Sequence, residues 1–147
     1  MSAIATSALT IFGSVIVYVV GQLVSKILIE PVHELKKSVG EVRFNLAFHA
    51  AAIRTPAARS EEWSQKAHEA LLRSSCDLLA RVEMIPCSCY PFLSRVFSLH
   101  PRESIKVAAT KLRGLSTYVY GTQSTSGDAV DKLVTEIECR LGLEPLK

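Results

Sequence analysis

The chain has 147 residues, 48% of them hydrophobic, 21% charged and 7% aromatic, with a formal net charge of +3. That length supports one modest domain with a small core, not two full domains. Seven Gly, six Pro and the lack of any low-complexity tract exclude collagen-like, mucin-like and largely disordered chains. Charge is unevenly placed, because no Lys, Arg, Asp or Glu precedes Lys26.

The uncharged leader is rich in Ile, Val and Leu from Ile4 to Val24, and the apolar trend resumes with Ile27, Leu28 and Ile29. At ~1.5 Å per residue, a helix from Ser7 to Ile29 is roughly 34 Å long, enough to cross a ~30 Å hydrocarbon layer. A cleaved signal peptide would begin with basic residues and end in a small-residue cleavage site. Here no basic residue comes first, and Lys26-Ile27-Leu28-Ile29-Glu30 follows the run. A retained span is therefore expected, with residues 1–30 as anchor and 31–147 as a second unit. Lys26, Lys36, Lys37 and Arg43 all follow it, so the positive-inside rule puts the N-terminus outside and the remainder in the cytoplasm. Cys76, Cys87, Cys89 and Cys139 are then expected as thiols. Within the span, Gly21 and Ser25 form a small-xxx-small pair beside Tyr18 and Gln22. Such residues let helices approach closely, and an amide in lipid favours a hydrogen-bonding neighbour, which marks these four as candidate self-association or pore positions. Gly and Ser are also simply common in spans, so both readings stand.

After Pro31, a residue suited to a first helical turn or a bend, Val32, Leu35, Val39, Val42, Leu46, His49 and Ile53 alternate at spacings of three and four. This heptad seam predicts a helix ending near Thr55-Pro56, and Phe44, Ala47, Phe48 and Ala51 widen its apolar surface enough to suggest a central position. Ser60 is placed as the N-cap of a second helix with the stripe Trp63, Ala67, Ala70, Leu71, Leu78, Val82 and Ile85, stopped by Pro86. A connector from Pro86 to Phe92 leads to a short helical turn from Leu93 to Phe97. Pro101 opens a third helix with Ile105, Ala108, Ala109, Leu112, Leu115 and Val119 on one face. The polar stretch from Gly121 to Gly127 precedes a last helix, from Asp128, with Val130, Leu133, Val134, Ile137 and Leu141 together. No segment alternates as a strand, so the expected fold is all-α: one N-terminal transmembrane helix and a cytoplasmic bundle of about four helices.

Candidates for chemistry are few. Arg43 and His49 are spaced R-x5-H, inside the R-x(4–6)-H pattern of HEPN ribonucleases, where a cation steadies phosphate and an imidazole moves a proton. Asn45 lies one turn before His49 and is placed to orient it. The competing reading makes His49 a hydrogen-bonded core residue of the seam. Cys87-x-Cys89, with Cys76 and His100 nearby, lacks the second separated pair of a zinc site, so thiols and no metal are expected. No phosphate loop, H-E-x-x-H or G-x-S-x-G motif is present, and no cofactor is expected. Arg54, Arg59, Lys66, Arg73, Arg95, Arg102, Lys106, Lys111 and Arg113 are spread over several elements and interleaved with Glu. Solvated helix surfaces account for them better than an interface with nucleic acid or anionic lipid.

The segment Glu34 to His49, with its V-G-E core at Val39-Gly40-Glu41, resembles the start of small bacterial membrane proteins that carry a charged helix directly after one span. Met84-Ile85-Pro86 and Leu112-Arg113-Gly114-Leu115-Ser116 are similar pieces. Together they resemble the membrane accessory proteins of type VI, RNA-targeting CRISPR systems, which combine one span with a HEPN-like helical domain. The resemblance implies an oligomeric, pore-like antiphage effector in the bacterial inner membrane, partnered by other components of a defence system. Family chemistry would transfer only to Arg43 and His49. Three functions follow in order: an oligomeric anchor or pore, a non-enzymatic scaffold for a cytoplasmic partner, and a membrane-tethered RNase.

Overall fold

A computed structural model describes residues 3–54, 61–120 and 127–145. All regular structure among them is helical. Helix α1 spans Ala3–Val24 and passes through a π-helical turn, Ser25–Ile29, into α2, Glu30–Phe48. The turn has a local cause. Pro31 has no N–H, and its ring collides with the carbonyl four residues earlier in a regular α-helix. Widening the turn, so that the Glu30 N–H reaches the Ser25 carbonyl five residues back, lets the helix continue past Pro31 unbroken. Of the two roles open to Pro31, a first turn or a bend, the structure places it in the first turn of α2. The stretch Leu9–Phe48 is long and apolar enough to cross a membrane, and none of its most apolar window is buried in the fold.

Beyond Phe48 the helix breaks. His49 takes φ −96° and ψ 10°, and a short α3, Ala50–Arg54, follows. The single helix expected up to Thr55-Pro56 is thus two, and Thr55, Pro56 and the proposed cap Ser60 lie outside the described residues. Helix α4 covers Glu61–Met84, α5 Tyr90–Phe97, α6 Arg102–Tyr120 and α7 Gly127–Leu141. The short helix starts three residues before its expected first residue, Leu93, because Pro91 is well tolerated in a first turn.

The centre belongs to α4, which packs against both α2 and α6, while α6 also packs against α7. Leu71, Leu78, Val82 and Ile85, along and just past α4, are fully buried, as are Leu112 and Leu115 of α6. On α2 the inner seam holds Val32, Leu35, Val42 and Leu46 with Val39 partly covered, and Ile137 and Leu141 of α7 close the far side. Each fully buried side chain of this size contributes roughly 1.5–3 kcal/mol, so this shared layer holds the helices together. Two expectations change. Phe44 and Phe48 are 63% and 59% exposed, so α2 has one covered face and is not central. Trp63, expected on the α4 stripe, is exposed one turn before the first buried position, Ala67.

Polar ties fix the helix registers. Ser75 Oγ, buried, donates to the Ala109 carbonyl at 2.7 Å and links α4 to α6, as does His68 Nδ1 at 2.8 Å from the Ser116 carbonyl. Tyr90 Oη donates to the His100 carbonyl at 2.5 Å and ties α5 to the start of α6. Helix α7 ends at Gly142, whose φ of +63° favours glycine and where a Cβ would overlap the His100 ring.

Candidate functional site

Two groups of sequence-selected residues sit on the α1–α2 helix, and the fold treats them differently. Tyr18, Gly21, Gln22 and Ser25 are all exposed on the apolar stretch. A Cβ added at Gly21 meets nothing within 4 Å, so this surface is free for another helix to approach closely. Further along the same helix, Lys26, Lys36 and Lys37 are exposed, whereas Glu34 pairs with Arg81 of α4 at 3.0 Å.

Arg43, Asn45 and His49 are not assembled into one site within the chain. Six residues apart on a helix, Arg43 and His49 are separated by roughly 120° around the axis and ~9 Å along it. Arg43 is half-buried and His49 is buried on the core side of α2. The His49 ring lies edge-on to the Phe48 ring, with centroids 5.0 Å apart. Its Nδ1 is buried without a hydrogen-bond partner, and burial pushes its pKa below the ordinary value. A neutral imidazole with an idle nitrogen can accept or donate a proton only to a group that reaches the core. Asn45 does not orient it through its side chain: Asn45 Nδ2 donates to Ser74 Oγ of α4 at 2.7 Å, and Ser74 Oγ donates in turn to the Ala70 carbonyl at 2.9 Å. The Asn45 backbone carbonyl accepts the His49 N–H at 3.0 Å, just where α2 ends.

The four cysteines are free thiols, with Cys76, Cys87 and Cys139 exposed. Among the described residues no three His, Cys, Asp or Glu side chains converge as metal ligands. Cys87 instead accepts from Arg102 Nη1 at 2.7 Å, and the same guanidinium donates to the Ile85 carbonyl at 3.3 Å and pairs with Glu83. Lys106 also reaches Glu83, at 2.8 Å. The hydrogen bond from Lys106, then the charges of Arg102 and Lys106, hold the Glu83 carboxyl below its usual range. This cluster draws Arg102 onto the carbonyl end of α4, where a cation suits the helix dipole. Sequence reading missed it because its members come from the end of one helix and the start of another.

Much of the remaining basic surface is also paired: Arg54 with Asp131 at 3.1 Å, Lys111 with Glu136 at 3.2 Å and Arg73 with Asp77 at 3.9 Å. A groove of about 260 Å³ is lined chiefly by Leu35, Val39, Leu99, Ile105, Leu141 and Leu143, with Lys36 and His100 among its polar members. What the surface offers most clearly is therefore apolar: the α1 stretch, the stacked Phe44 and Phe48 of α2, and Phe92 and Val96 of α5. No protein-family model, curated protein or solved structure matches this chain.

Proposed function

We propose that this chain is a membrane-anchored helical module that self-associates, and that it acts as an oligomeric anchor or pore compromising the membrane that holds it. One observation carries the reading: the most apolar window of the long helix is entirely uncovered, and that helix runs unbroken into the one bearing the core seam. In water, a window this apolar would need cover from another protein or from lipid. The exposed Lys26, Lys36 and Lys37 support an outside N-terminus and a cytoplasmic helical domain. Tyr18, Gly21, Gln22 and Ser25 supply the surface for close helix contact, and the resemblance to accessory proteins of type VI CRISPR systems would make the setting a bacterial inner membrane and antiphage defence.

The test is expression of the full chain in bacteria, followed by fractionation, a carbonate wash, mass measurement in mild detergent and recording of membrane potential. The reading expects the chain to remain in the washed membrane, a mass of several protomers, and depolarisation that Gln22→Leu weakens. Release by carbonate or a strictly monomeric mass with intact potential overturns it.

A second reading, a non-enzymatic scaffold, draws on Phe92 and Val96, 68% and 56% exposed one turn apart on α5. Phe92→Ser should then release a co-purifying cytoplasmic partner while leaving oligomeric mass unchanged. RNA cleavage through Arg43 and His49 ranks below both, since the His49 ring faces the core.

A further inference from the structure

Helix α2 carries two stripes on opposite sides. The inner one, Val32 to Leu46, is filled by α4. The outer one consists of Lys37, Glu41, Phe44 and Phe48, at spacings of four, three and four. That is again a heptad pattern, and all four residues are exposed. At about 100° per residue its centre lies roughly 170° from the inner seam, so none of the helices packed on that seam reaches it. The Phe44 and Phe48 rings stack on each other, with centroids 5.6 Å apart and planes 15° from parallel, and form a preassembled apolar ridge.

We infer that this outer stripe is the contact between parallel copies of this chain standing side by side in one membrane, continuing above the bilayer the contact made by Tyr18, Gln22 and Ser25 within it. The inference rests on the membrane-oligomer reading above and names the surface that reading leaves open.

Two observations select a second copy as the occupant. The first is phase. In a regular α-helix Tyr18, Gln22 and Ser25 would lie on average some 75° out of line with Phe44. The π turn at Ser25–Ile29 adds one residue to the local repeat and rotates the two parts by about one residue, roughly 90–100°. Tyr18, Gln22 and Ser25 then come to within about 50° of the Phe44 line, giving one stripe from span to ridge. The second is area. A buried aromatic side chain removes ~150–250 Å² from water, so the exposed parts of Phe44 and Phe48 offer roughly 250 Å² together. A free partner needs about 800 Å² on each side for a standard interface. A second copy meets the shortfall through the span, whose contact makes the ridge contact effectively intramolecular.

The experiment uses the full chain in native membranes with Cys76, Cys87, Cys89 and Cys139 replaced by serine. Single cysteines are introduced as Tyr18→Cys, Phe44→Cys, Phe48→Cys and, on the exposed far side of α6, Thr110→Cys. Mild copper–phenanthroline oxidation should give a disulfide dimer as the main band at positions 18, 44 and 48, and none at 110. In the chain with its natural cysteines, Phe48→Glu should remove the highest-mass species in detergent while the protein stays in the membrane with unchanged helicity. Dimer at position 18 alone, with mass indifferent to Phe48→Glu, overturns the inference but leaves the membrane oligomer standing. Monomer mass and no dimer anywhere overturns both. If the thiols introduced at positions 44 and 48 are protected from maleimide yet do not crosslink to themselves, the ridge belongs to a different protein and the inference is overturned.

Discussion

His49 offers a sharp test of the packing, because its burial and its chemistry pull against each other. The ring is 7% exposed, and its Nδ1 has no partner. An unmet buried polar group costs about 1–3 kcal/mol, while the edge contact with Phe48 returns about 0.5–1.5 kcal/mol. His49→Leu removes both, so the variant should be more stable than the parent by about 1 kcal/mol at neutral pH. Acid enlarges the gap. Burial lowers the His49 pKa from its ordinary 6.5, so between 6.5 and the folded value the unfolded chain binds a proton that the folded chain refuses. The parent's stability is therefore complete above about pH 6.5 and falls as pH drops through that window, by at most about 1.4 kcal/mol per pH unit. His49→Leu lacks this contribution. Guanidinium unfolding of the detergent-solubilised chain, followed by helicity from pH ~7.5 to ~5, reads both effects. Parallel losses in the two proteins, or a variant less stable by ~2 kcal/mol at neutral pH, would refute the reasoning.

Leu71→Ala, at the fully buried centre of α4, should cost about 2–5 kcal/mol in the same unfolding experiment. Gly142→Ala should cost about 1 kcal/mol or more, from positive φ and overlap with the His100 ring; His100→Ala in the same chain should recover the overlap part but not the φ part. Lys106 and Arg102 hold the Glu83 pKa below its usual 4.5, so the stability Glu83 contributes is present above that value and lost as pH falls through the lowered one. Glu83→Gln should flatten the acid limb of a helicity titration below about pH 4.5, and an unchanged limb would remove Glu83 from the balance.

Much of the helix layout was legible because burial in a helix leaves a one-dimensional record. Ile105, Ala108, Ala109, Leu112, Leu115 and Val119 are all buried as their spacing required, and Val130, Ile137 and Leu141 follow the same rule on α7. The inner seam of α2 was equally plain. Periodicity, however, says that a residue can be buried, not that a partner exists. Phe44 and Phe48 have the same hydrophobic and helical credentials as Leu46, yet both stay exposed while Leu46 is covered. The break at His49 left no mark that separates it from the surrounding helix, because it depends on how α3 must turn to place Ala52 and Ile53 in the core. Candidate chemistry suffered the same limit. Spacing put Asn45 one turn from His49, and only packing decided that its amide would serve Ser74 on another helix.

The charge-free stretch before Lys26, the all-helical class and the buried stripes were determined by the sequence alone, because charge, period and proline placement act locally along the chain. The tertiary structure alone decided that α4 holds the centre, that Arg102 gathers Glu83 and Cys87 at its end, and that α2 presents an uncovered ridge of two stacked rings. Those outcomes depend on which of several apolar faces meet in space, a pairing that periodicity along the chain does not record.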